Sequence, residues 1–148
     1  MIEMLLQTLA TFMLTVSFCV ILAAPRSEWI FCGISGIVSY LVNQLILTSG
    51  IHQILATLGA AMALSLSSRM LAVLRRQPVT VYLMPGIFPL APGAGIYFTA
   101  YYLIAGDMEA FSQEGMKTLE TAVAIALGIV FASGLPQKNL RPKGDAGK

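Results

Sequence analysis

Met84-Pro-Gly-Ile-Phe-Pro-Leu-Ala-Pro-Gly-Ala-Gly95 sits inside an uncharged stretch that runs from about Val79 to Ala105. It carries three prolines (Pro85, Pro89, Pro92) and three glycines (Gly86, Gly93, Gly95). Each internal proline removes a backbone donor and collides with the preceding turn. Glycine admits dihedrals that other residues avoid. One continuous helix is therefore not expected here. Yet nothing between Val79 and Ala105 is charged, which puts the stretch at membrane depth. Irregular backbone is tolerated there only where protein or a water-filled cavity covers it. A broken apolar helix is also how many transporters build a substrate site.

The rest of the chain has the same character. Of its 148 residues 57% are hydrophobic and 11% charged, against about 25% charged in a typical soluble domain. The fold class is an all-α integral membrane protein with a single domain, residues 1–136, followed by a basic tail, 137–148. Cys19 and Cys32 each stand alone in an apolar run and there is one histidine, His52. That excludes a Cys/His metal cluster or a disulfide framework. The cysteines read as lipid-facing or packing residues. There is no glycine-rich phosphate loop, HExxH or GxSxG, so no enzyme activity, cofactor or nucleic-acid partner is expected.

Working outward, Arg75-Arg-Gln-Pro78 closes a preceding span of about 53–74, and Gly59, Ala63 and Ser67 give it a small-residue stripe. A span of about 29–47 opens on Trp29, with Ser35 and Ser39 four apart, and ends at the turn signal Thr48-Ser-Gly50. The first span is about 5–24. A cleaved signal peptide competes with it, but Glu3 and no Lys or Arg precede it. Pro25-Arg-Ser-Glu28 is a polar break. Beyond the broken fourth span, 79–105, come the aromatics Tyr97, Phe98, Tyr101 and Tyr102. An acidic segment from Gly106 to Thr118 then reads as a short surface helix capped by Asp107. A fifth span of about 119–135 carries Ala124, Gly128 and Ala132 on one face. Small-residue faces let helices approach closely, and these are expected to seat a partner subunit.

Five spans put the termini on opposite sides. Arg26, Arg75, Arg76 and the tail lysines and arginine then share one face, with Arg69 close by, and Lys117 alone lies on the other. Basic residues of short loops stay cytoplasmic. The N-terminus is therefore expected outside and the C-terminus inside, in a cytoplasmic membrane.

The run from Arg69 through Arg76 and Pro78 to Val81-Tyr-Leu-Met-Pro-Gly-Ile-Phe-Pro-Leu-Ala-Pro-Gly93 resembles the threonine/serine exporter family. It is most similar to that family's small-subunit form, which corresponds to the C-terminal five-helix half of the fused exporters. The resemblance extends over nearly the whole chain, and its specific part is the Pro-Gly string. It implies a secondary transporter of the bacterial inner membrane, exporting threonine and serine or, in some split members, a dicarboxylate such as succinate. It also implies a larger homologous membrane subunit as partner, the two forming an inverted-topology pair. The alternative is a structural or assembly membrane protein with no substrate of its own.

The substrate pathway is placed at Pro85, Gly86, Pro89, Pro92, Gly93, Ala94 and Gly95, with Arg69, Asn43 and Gln44 as polar candidates. Proline at the first position of a helix loses nothing. A second half-helix starting near Gly93 would offer the N–H groups of Gly93, Ala94 and Gly95 to a carboxylate. Counting about 1.5 Å per residue from Val79 puts that start near the middle of a hydrocarbon core about 30 Å thick. The competing readings are a packed kink without ligand contact, an Arg69 that snorkels to the interface, inter-helix hydrogen bonding for Asn43 and Gln44, and a plain loop residue in His52.

Overall fold

The structure, a computed structural model, describes residues 2–134. The C-terminal tail and Pro136 lie outside the described residues. Among these residues there are only helices: α1 (Ile2–Ile21), a 3₁₀ turn (Arg26–Glu28), α2 (Trp29–Thr48), α3 (Gln53–Arg75), α4 (Thr80–Ile87), α5 (Gly93–Ala105) and α6 (Met108–Gly134). Four of them, α1, α2 with its leading turn, α3 and α6, are long and apolar enough to cross a membrane; α5 is a shorter apolar helix. The chain is a multi-pass membrane protein.

The Pro-Gly stretch breaks its segment as expected, into α4 and α5. The acidic segment differs from expectation. In place of a short surface helix and a separate span from Leu119, α6 runs unbroken for 27 residues. No proline interrupts it, Lys117 and Glu114 pair one turn apart at 2.8 Å, and polar residues at the end of an apolar helix need not stop it. Asp107 does cap it, its carboxylate accepting from the Ala110 amide at 3.1 Å.

Helices α1, α2 and α3 pack in sequence, α4 lodges against all three, and α6 lies along α3. The buried face of α2 includes Ser35 and Ser39, and that of α6 is Ala124, Ile125, Gly128 and Ala132. On α3 the buried face is Ala56, Ala60, Ala61, Leu64, Ser68 and Ala72, displaced from the expected Gly59, Ala63 and Ser67. These faces serve the chain's own fold. A Cβ added at Gly128 would stand 2.7 Å from the Ala61 Cβ and 2.7 Å from the Leu58 carbonyl oxygen. The close approach at Gly128 is between α3 and α6.

Helices α3 and α6 run in the same direction, since Gly128 meets Leu58 and Ala61 while Ala132 meets Arg69 further along. The first half of α6 therefore extends past the first turn of α3. Helix α5 packs back along that extension, principally on α6, and buries none of its residues. Its aromatics lean on one another, Tyr97 against Phe98 and Tyr101, and Tyr102 against Phe98 and Tyr101.

Candidate functional site

The break is built from its own proline chemistry. Inside α4, Pro85 has no N–H for the carbonyl of Val81, and Cys32 of α2 fills the vacancy, its Sγ donating at 3.2 Å. After Ile87 the chain tightens, with the amides of Leu90 and Ala91 both turning back to the Ile87 carbonyl at 2.9 and 3.0 Å. Phe88 stacks on Phe18 of α1, ring centroids 3.5 Å apart. Leu90 plugs into the core beside Ala60, Ala61, Leu64 and Ile125. Pro92 is the residue before α5, one position earlier than the sequence suggests, and its carbonyl accepts from Ile96 at 3.0 Å. The Gly93 amide is used locally, donating to Ala91 at 2.8 Å. The amides of Ala94 and Gly95 have no acceptor among the described residues.

A cavity of about 520 Å³ opens at this helix start. One wall is Pro92, Gly93, Ala94 and Gly95. A second is the start of α3, from His52 to Ile54. The third is one stretch of α6 bearing Glu114, Lys117, Thr118, Glu120 and Thr121. A Cβ at Gly93 would meet nothing within 4 Å, whereas one at Gly95 would come within 2.4 Å of the Thr118 hydroxyl oxygen. Gly95 thus lets α5 begin flush against α6, and Gly93 leaves the cavity mouth open. The ion pair between Lys117 and Glu114 stands in the cavity wall. Because this wall includes the first turn of α3, the cavity lies toward the His52 end of that helix and not halfway along it.

The remaining sequence candidates lie elsewhere. Pro85 and Gly86 are buried in helix packing, Gly86 so close to α3 that an added Cβ would sit 2.4 Å from Leu64. Pro89 belongs to the turn. Arg69 is buried and donates to the carbonyl of Ala132 in the last turn of α6, a cation at the negative end of a helix. It reaches into the protein at that point and does not snorkel outward. Gln44 donates to Gln7 of α1 at 3.4 Å and to Tyr40 at 3.0 Å, and Tyr40 in turn donates to Gln7 at 2.5 Å, the inter-helix use weighed for it. The Asn43 side-chain oxygen is buried without a partner among the described residues.

Two sets of residues were not singled out from the sequence. In the sequence Glu114, Lys117 and Thr118 read as part of a short surface helix, Glu120 and Thr121 as the start of the fifth span, and His52 as a loop residue. The signal was present in Glu114, Lys117, Thr118 and Thr121, whose spacing of three, four and seven puts them on one side of a helix. The second set is Glu28, Arg75 and Tyr82. Glu28, taken as part of a polar break, is 2% exposed. Its carboxylate accepts from Arg75 Nη2 at 3.0 Å and Nε at 3.1 Å, and from the Tyr82 hydroxyl at 2.6 Å. Cys19 and Cys32 are likewise buried, with their sulfurs 2.8 Å apart; neither faces lipid.

A family model described as Threonine/Serine exporter, ThrE, matches residues 7–135. No curated protein and no solved structure matches the chain.

Proposed function

Because the chain belongs to the threonine/serine exporter family, we propose that it is a subunit of a secondary transporter exporting a small carboxylate-bearing metabolite, whose carboxylate binds at the start of α5. The observation that carries this reading is the pair of unclaimed amides, Ala94 and Gly95, at the positive end of a helix in the wall of a cavity. The opposite wall favours an amino acid over a dicarboxylate. Glu114 is neutralised by Lys117, and Glu120 has no ion pair among the described residues. One acidic side chain therefore remains for an ammonium group, and a second substrate carboxylate would be repelled.

The same reading takes the chain as one of two components. The cavity is open on one side, and α5 carries exposed Ile96, Tyr97, Phe98 and Ile104. A larger homologous membrane subunit inserted with opposite orientation would cover both. In this arrangement the chain crosses the bacterial inner membrane five times, the fourth crossing being the broken span of about 79–105. The N-terminus is then outside and the C-terminus cytoplasmic, as the distribution of Lys and Arg favours.

The test is efflux of labelled threonine, serine and succinate from cells carrying this chain, its partner, or both. Export of threonine or serine only with both is the expected result. Succinate export would overturn the zwitterion assignment, and no export under any condition would leave an assembly protein.

A further inference from the structure

At the end of α3 remote from the cavity, one carboxylate ties three helices together. Glu28 closes the turn that leads into α2, and a carboxylate this deeply buried is rare unless paired. Arg75 is the last residue of α3 and Tyr82 lies in the first turn of α4. The guanidinium of Arg75 grips both Glu28 oxygens while its other face lies over the Phe31 ring, 4.4 Å from the centroid. The Tyr82 hydroxyl completes the cluster. Two more bonds fix the same part of α4, from Cys32 to the Val81 carbonyl and from Ser35 to the Tyr82 carbonyl, each 3.2 Å. Across the break the contrast is sharp: α4 is fastened into the bundle, and α5 buries nothing. At about 1.5 Å per residue, the length of α3 separates Arg75 from the cavity at Gln53 by about 33 Å.

We propose that Glu28, Arg75 and Tyr82 form the closed gate of the transport cycle at the cytoplasmic end, and that the conformation described is the one in which the cavity opens at the outer end. The proposal rests on the reading of that cavity as the substrate site. A carrier that alternates access seals one end while the other is open. Here the sealed end is the one held by a bidentate ion pair and a tyrosine: withdrawal of α4 breaks the Tyr82 bond, and parting of the turn before α2 from α3 breaks the ion pair. Arg75, released from Glu28, then presents a cation on the cytoplasmic side, where an exported carboxylate arrives.

The test uses the full chain in oriented membrane vesicles. Gly93→Cys places a thiol in the cavity mouth, and the native Cys19 and Cys32 are fully buried. A membrane-impermeant, charged methanethiosulfonate should label Gly93→Cys in right-side-out vesicles, above the background of the parent chain. Adding Tyr82→Phe or Glu28→Gln should slow that labelling about threefold, as loss of one gate bond shifts the population away from the outward-open state. A Tyr40→Phe control, remote from the gate, should not. Unchanged labelling in both gate variants, or labelling confined to inside-out vesicles, would overturn the proposal. Failure of threonine to protect Gly93→Cys, with slowing still seen in the gate variants, would uphold the gate and remove the substrate reading instead.

Discussion

The thiol of Cys32 donates to the carbonyl of Val81, the acceptor that Pro85 leaves without its helical partner four residues later. The α4 half of the broken segment is thus repaired from a neighbouring helix. Cys32→Ala should lower stability by about 1 kcal/mol, and Cys32→Ser should lower it less. Pro85→Ala restores the missing amide, so the Cys32→Ala penalty should shrink in that background. Thermal unfolding in detergent of the single and double variants measures the coupling. Equal penalties in the two backgrounds would show that the bond does not serve the proline.

Gly128 tests how α3 and α6 meet. Its position against the Leu58 carbonyl and Ala61 leaves no room for a methyl group. Gly128→Ala should cost about 1–3 kcal/mol, and Gly128→Leu should largely abolish folded protein. Because the contact is within the chain, the loss should appear equally with and without a partner subunit. A Gly128→Leu chain that is stable alone but fails to copurify with a partner would place the contact between subunits.

Arg69 anchors the end of α6 through the Ala132 carbonyl. Arg69→Met should destabilise the chain by about 1–2 kcal/mol, read as a lower melting temperature. Export normalised to folded protein should stay within about twofold, because the cavity lies at the other end of α3. A large change in substrate KM at normal stability would put Arg69 on the pathway.

The proposed five crossings predict a topology. A reporter active only outside the cytoplasm should be active when fused before Glu3 or within Asp107–Lys117, and silent after Lys148. Activity at the C-terminus would contradict the fivefold crossing and the side assigned to the basic residues.

The sequence made the break legible because proline and glycine act locally: the missing donors at Pro89 and Pro92 interrupt any helix. The Asp107 cap and the Ala124, Gly128 and Ala132 face were legible for the same reason, each being set by spacing within one helix. Glu28 was not. Its partners stand 47 and 54 residues away, and only packing brings them to one point. The cavity was half legible: Pro92 to Gly95 could be read as a helix start, but its other walls come from the first turn of α3 and the middle of α6. Counting residues from Val79 could not name the neighbours of that helix start, because packing alone brings it beside the His52 end of α3.

Gly93 tests the central claim most directly, since an added Cβ there meets nothing within 4 Å and a longer side chain projects into the cavity without disturbing the fold. Efflux of labelled threonine should be nearly unchanged in Gly93→Ala and abolished in Gly93→Leu, with expression, melting temperature and partner copurification at the level of the parent chain. A Gly93→Leu chain that assembles and exports at the parent rate would contradict the account and leave the Pro-Gly break as a structural kink.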